Sequence, residues 1–150
     1  MGPTWTRCWI AAALVVVAAG CSIDTRVTPL QRPVPFACVR ENPAVWSKQF
    51  LPELREQLAR HGMQTEVFSG DVPSNCSVVV AYTAEWNWDL AVYLEYADIT
   101  VTDLGGSFPR EIGRVTYDAR DGSARFDKLG SGSEKLAAII DRLFGAPPPK

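Results

Sequence analysis

The chain is 150 residues long, 47% hydrophobic and 21% charged, with a formal net charge of −2. Such a length admits one domain with a sizeable core, and such a composition excludes collagen-like, coiled-coil and wholly disordered chains. The slightly acidic balance carries no electrostatic footprint for nucleic acid or for an anionic membrane surface.

The first element is a leader. Arg7 is the only charge before Cys21, and Trp9 to Ala19 is an unbroken apolar run. Crossing about 30 Å of hydrocarbon takes roughly 20 apolar residues, whereas a signal-peptide core needs about 7 to 15. The run ends in Ala18-Ala19-Gly20-Cys21, which resembles the lipobox of bacterial lipoproteins, although Ala18 stands where leucine is usual. The resemblance implies cleavage before Cys21 and diacylglycerol on its thiol; the alternative is a secretory leader cut elsewhere, with Cys21 incidental. Two or three acyl chains hold stably where one binds marginally. In enterobacterial lipoproteins an aspartate after the cysteine signals inner-membrane retention. Ser22 stands here, so that rule implies the inner leaflet of the outer membrane, facing the periplasm.

Residues 1–20 therefore read as the signal peptide and 21–35 as a lipidated cysteine with a tether stiffened by Pro29, Pro33 and Pro35. Such a tether would hold the domain some 40 Å from the bilayer. Residues 36–145 read as one periplasmic domain and 146–150 as a proline-rich tail. Phe36 to Arg40 suits a short strand. Asn42-Pro43 offers an N-cap and a first-turn proline, so a helix is expected from there, with Trp46, Phe50, Leu54 and Leu58 as its apolar stripe and His61-Gly62 at its end. Pro52 predicts a kink or break near Lys48.

From Gln64 the period changes to two. Thr65–Ser69, Cys76–Trp88, Tyr93–Asp103 and Arg110–Arg120 are strand-like, joined by turns such as Gly105-Gly106 and Asp121-Gly122. Short connections favour antiparallel pairing. Ser131 and Glu134 form a capping box for a last helix whose stripe is Leu136, Ile140, Leu143 and Phe144, stopped by Gly145 and the prolines. The expected fold is α+β, a two-layer sandwich of four to five antiparallel strands with two helices on one face, in the order β-α-β-β-β-β-α.

Of the four cysteines, Cys8 leaves with the leader and Cys21 goes to lipid. Cys38 and Cys76 remain in an oxidising compartment, which predicts a disulfide; they lack the C-x-x-C spacing of a redox-active pair.

No nucleophile elbow, paired-histidine zinc motif, P-loop or metal-ligand cluster is present in the sequence, so no catalytic residue, metal or cofactor is assigned. His61, the single histidine, reads as a cation favoured by the helix macrodipole or as a partial cap at a helix C-terminus. Gly130-Ser131-Gly132-Ser133 reads as a cap before a phosphate site. Glu85, Asp89, Glu95, Asp98 and Asp103 recur along two strands, a pattern from which a glycan hydrolase would need two flanking carboxylates; it also fits a solvated sheet face. The most suggestive group is aromatic. Tyr82, Trp86 and Trp88 alternate on one strand, with Tyr93, Tyr96 and Tyr117 on its neighbours. Tyr82 and Trp86 read as core packing, while Trp88 and Tyr93, with Trp86 beside them, make the candidate binding patch where the helices run out.

Cys38-x-x-Glu41-Asn42-Pro43, Arg60-His61-Gly62, Glu66-Val67-Phe68-Ser69-Gly70, Asn75-Cys76, Tyr82-Thr83-Ala84 and Trp88-Asp89 together resemble an uncharacterised family of small proteobacterial lipoproteins, from Cys21 to about Phe144. The resemblance implies the address and the disulfide, and no chemistry. At fold level the layout is similar to envelope-assembly lipoproteins. The expectation is a membrane-anchored, non-enzymatic binding or assembly subunit whose partner is an envelope protein. A peptidoglycan- or lipopolysaccharide-binding module is the second reading and a glycan hydrolase the third.

Overall fold

A computed structural model describes residues 23–120 and 130–145. The expected leader, Cys21, the Asp121-Gly122 turn and the proline tail lie outside the described residues. The elements run β1 (Asp24–Thr28), β2 (Phe36–Arg40), α1 (Phe50–Arg60), β3 (Gln64–Phe68), β4 (Val78–Asp89), β5 (Ala91–Asp103), β6 (Arg110–Asp118) and α2 (Gly132–Leu143). The layout is two-layered, helices on sheet, but the sheet has six strands in the order β1-β6-β5-β4-β2-β3.

Two expectations about that sheet need correction. Its pairing is mixed: β4, β5 and β6 form an antiparallel meander, while β2 pairs in parallel with both β3 and β4. The physical reason for the first pair is the helix between β2 and β3, and for the second the link 69–77, which carries the chain from β3 across β2 to β4. A strand that returns through a helix re-enters the sheet in the same direction, whereas a short turn reverses it. The sixth strand comes from the expected tether, where Asp24 to Thr28 pair with Asp118 to Arg114 of β6. Its DTRVT sequence has alternate residues half-buried, and the β-branched Thr25, Val27 and Thr28 suit a pleated edge. Ile23 and Val27 pack against the core. Beyond β1, the Leu30 amide donates to the Leu143 carbonyl at 2.8 Å and the Gln31 amide to Ile112 at 2.9 Å, so the proline-containing stretch is fixed to the domain as well.

The first helix starts later than expected. Gln49 caps it without a side-chain hydrogen bond, and Pro52 falls in its first turn, where no i−4 carbonyl is deprived of a donor. Pro52 thus neither kinks nor breaks the helix. Asn42 instead holds an Asx turn, its Oδ1 accepting from the Ala44 amide at 3.0 Å while its Nδ2 donates to the Tyr82 carbonyl at 2.8 Å. The second helix begins as the sequence predicts, with Ser131 Oγ accepting from the Glu134 amide at 3.1 Å.

One face of the sheet carries the main core. Phe50, Leu54 and Leu58 of α1 and Leu136, Ile139, Ile140 and Leu143 of α2 bury against Val80, Tyr82, Ile99, Val101, Val115 and Tyr117. Each fully buried leucine or isoleucine contributes roughly 1.5–3 kcal/mol. Gly113 permits the closest approach: a Cβ there would lie 2.9 Å from Leu30 Cδ2 and 3.1 Å from Leu143 Cδ1. The second cluster, Cys38, Phe68, Cys76 and Val79, is separate and small. It holds the disulfide between Cys38 and Cys76, with Cα atoms 5.8 Å apart. Gly62, at φ +83°, turns the chain from α1 toward β3.

Candidate functional site

The expected aromatic patch is divided by the structure. Tyr82 is core, its ring 5.5 Å from that of Phe50. Trp86 is half-buried between Phe50 and Trp46, edge-on to both at 5.5 and 5.6 Å. Trp88 is 70% exposed. Tyr93, expected on the exposed patch, is buried, with the Lys135 ammonium of α2 5.8 Å from its ring centre. The helices reach further than expected, since α2 sets Lys135 against the Tyr93 ring; beside it a bulge interrupts the strand pairing, so that Glu85 pairs with Tyr96 but Trp86 pairs with Leu94. The extra residue, Glu95, shifts the alternation of β5, and Leu94 rather than Glu95 faces inward.

The apolar residues that join Trp88 at the surface are Leu90 and Val92, 79% and 57% exposed. They form the tip of the β4–β5 hairpin. Leu90 adopts φ +64°, a left-handed conformation that glycine or asparagine adopts at lower cost. The sequence reading missed both. The signal was there in Trp88-Asp89-Leu90-Ala91-Val92, an apolar turn where polar turn residues are usual.

The carboxylates named from the sequence lie among ion pairs and hydrogen bonds. Arg114 Nε donates to Asp98 Oδ1 at 3.1 Å, Arg32 to Asp103 at 2.7 Å and Asn87 to Glu95 at 2.8 Å, and Glu85 lies 3.8 Å from Arg120. Arg120 also binds Asp118 and lies over the Tyr96 ring at 4.2 Å. Of these groups Tyr96, Asp98, Arg114, Asp118 and Arg120, with Asp24, Arg26 and Thr116, line an open groove of about 510 Å³ against β1, β5 and β6. Burial, and then the Asp98 carboxylate, push the Tyr96 phenol up. His61 bonds Asp141 at 2.8 Å and stacks on Phe144 at 4.4 Å, tying the end of α1 to the end of α2. Among the described residues there is no group of three His, Cys, Asp or Glu placed to hold a metal ion. None of the described helices is long and apolar enough to cross a membrane.

Asp118 in the groove and Asp103 outside it give the domain a defined acid response. Hydrogen bonds from Arg120 hold the Asp118 carboxyl below its ordinary value of 3.8, and those from Arg32 do the same for Asp103. A carboxyl depressed in the folded state contributes stability above its unfolded value and loses it as pH falls through the folded one. Stability should therefore hold from neutrality to about pH 5 and decline below about pH 4. Arg120→Gln should flatten the Asp118 part of that decline, as read from urea midpoints against pH; an unchanged acid limb would contradict the assignment.

A helix-on-sheet domain with a mixed six-stranded sheet is the class these elements define. Within that class the fold is similar to two structures of PelC from Paraburkholderia phytofirmans, both described as dodecamers. A single-substitution variant aligns with TM-score 0.52 and 13% identity over 81% of this chain and 94% of that one. A second crystal form aligns with TM-score 0.51 and 14% identity over 80% and 95%. No protein-family model matches the chain, and no curated protein matches its sequence.

Proposed function

We propose that this protein is a lipid-anchored subunit of the bacterial envelope, held by acylated Cys21 at the inner leaflet of the outer membrane and working by non-enzymatic assembly with copies of itself. The observation that carries the reading is the similarity of the fold to a protein crystallised as a dodecamer, over 80–81% of this chain and 94–95% of that one. The lipobox-like Ala18-Ala19-Gly20-Cys21 supports the anchor, and so does β1, which begins three residues after that cysteine and leaves the domain close to it. Two tests bear on the two halves. Light scattering of the mature protein in detergent should give a mass many times that of the protomer, and a monomer at every concentration would overturn assembly. Metabolic labelling with a fatty-acid analogue should mark the wild type and not Cys21→Ser; label retained in that variant would overturn the anchor.

The charged groove favours a second reading, a glycan-binding module, because its arginines, aspartates and Tyr96 offer the hydrogen-bonding groups that sugar hydroxyls pair with. Retention on purified peptidoglycan or lipopolysaccharide, lost in Arg120→Gln, would support it over self-assembly.

A further inference from the structure

We infer that the tip of the β4–β5 hairpin, with Trp88, Leu90 and Val92, is a second membrane contact that enters the lipid surface beside the anchor. The inference rests on the reading of Cys21 as the acylated residue, and adds to it an orientation of the domain.

The sheet register supplies the geometry. Asp24 pairs with Asp118, Asp118 with Tyr96, and Tyr96 with Glu85, so these four residues form one row across β1, β6, β5 and β4. Strand β1 runs from Asp24 away from that row toward Thr28, which pairs with Arg114. The chain that precedes Asp24 therefore leaves the sheet at the same end as the hairpin. Past the row, β4 and β5 continue as a two-stranded arm in which Trp88 pairs with Val92 and Leu90 forms the turn. At about 3.3 Å per residue, Trp88 stands roughly 10 Å and Leu90 roughly 16 Å beyond the row. Cys21, three residues before Asp24, reaches at most about 10 Å beyond it. A fully extended link thus lets the lipid-bearing sulfur come level with Trp88, and Leu90 then goes at least some 6 Å deeper, within the roughly 5–10 Å to which interfacial segments bury their apolar face.

The distribution of exposed apolar groups agrees. Phe36, Trp46, Trp88, Leu90, Val92 and Phe108 are the large exposed hydrophobics among the described residues. Trp88, Leu90 and Val92 form the tip, and Trp46 lies against Trp86 just behind it. Phe36 and Phe108 stand singly toward the other end of the sheet. Tryptophan at the root and aliphatic side chains at the point is the order that suits a bilayer interface, where an amphipathic ring sits at headgroup level. No cluster of lysine or arginine flanks the tip in sequence: Glu85 to Tyr96 contains only acidic charges. Insertion here is driven by apolar burial, and its salt dependence is small.

The test uses the purified mature protein in vesicles of zwitterionic phosphatidylcholine and phosphatidylethanolamine, with and without lipids brominated near the top of the acyl chains. Bromolipid should quench tryptophan emission, measured in a Trp46→Phe background because that ring is also exposed, and adding Trp88→Phe should remove most of the quenchable part, because Trp86 is half-buried in protein. In Cys21→Ser protein, vesicle flotation should persist weakly, be unaffected by added salt, and fall about tenfold in Trp88→Ala/Leu90→Asp. Intact-mass measurement on the same samples reports acylation separately. Acylated protein whose quenching in that background is the same with and without Trp88→Phe would overturn the inserted tip and leave the anchor reading standing. Protein that carries no acyl group yet shows Trp88-dependent quenching would overturn the anchor and keep the tip.

Discussion

Replacing Cys38 and Cys76 together by alanine should cost about 4 kcal/mol of folding stability, the chain-entropy value for closing a loop of roughly 39 residues. The location of the bridge gives the loss a direction. Strand β2 meets β4 at only two registered pairs, Cys38 with Val79 and Val39 with Val80, yet through that seam the β2–α1–β3 unit joins the meander. The disulfide lies across the seam, on Cys38 at its centre and Cys76 two residues before β4. Without it, amide exchange should rise first in β2, α1 and β3, and only afterwards in β4 to β6. Urea melts and exchange mass spectrometry of the double variant measure both effects. A loss below about 1 kcal/mol would mean that the unfolded chain is little constrained by the bridge.

Phe50→Ala should cost roughly 3–5 kcal/mol, whereas Trp88→Ala should fall within about 0.5 kcal/mol of wild type. The indole is the larger of the two ring systems, so the smaller expected loss at Trp88 comes from its surroundings. Phe50 is buried in the first turn of α1, with Tyr82 and Trp86 each 5.5 Å from its ring centre, so its removal leaves a cavity and strips two aromatic neighbours. Trp88 stands free of the helices, and its truncation changes little that folding had buried. Denaturant melts of the two variants decide the matter. A loss of several kcal/mol in Trp88→Ala would place that ring in the core and remove the hairpin tip as a contact surface.

Much of the fold was legible in the sequence because its local signals agree with the outcome. The Ser131–Glu134 cap, the apolar stripe of α2, and the period-two runs that became β4, β5 and β6 needed no long-range knowledge. The parallel half was misread although its signal was present: a strand at Phe36, an amphipathic stripe and a strand at Gln64 make a strand–helix–strand unit, and such a unit returns in parallel. The edge strand β1 was hidden by Pro29, Pro33 and Pro35, which pull a reader toward an extended linker, and by its polar composition, which gives no periodic contrast. Pro52 was taken as a breaker because the start of α1 had been set one helical turn or more too early.

The candidate site was legible to a lesser degree, since a bulge cannot be seen in hydropathy. Trp88 was placed at the open end of its strand from the limited length of the helices, and the structure puts it at the surface there. Tyr93 was expected beyond the reach of the helices, but α2 extends to it and sets Lys135 against its ring. Arg114, Arg120 and Asp118 were not singled out, because their grouping with Asp98 depends on which strands are neighbours.

Strand β1 has a mechanical consequence. With Cys21 fixed in a membrane, any pull on the domain is delivered through Ile23 to Asp24 and along the axis of β1. Its five pairs with β6 are then loaded side by side, in shear, rather than opened one after another like a zip. Resistance to such a load is set by the rate at which the strand slides out, not by equilibrium stability. A domain anchored at Cys21 would thus be gripped through the arrangement in which a short antiparallel strand yields last.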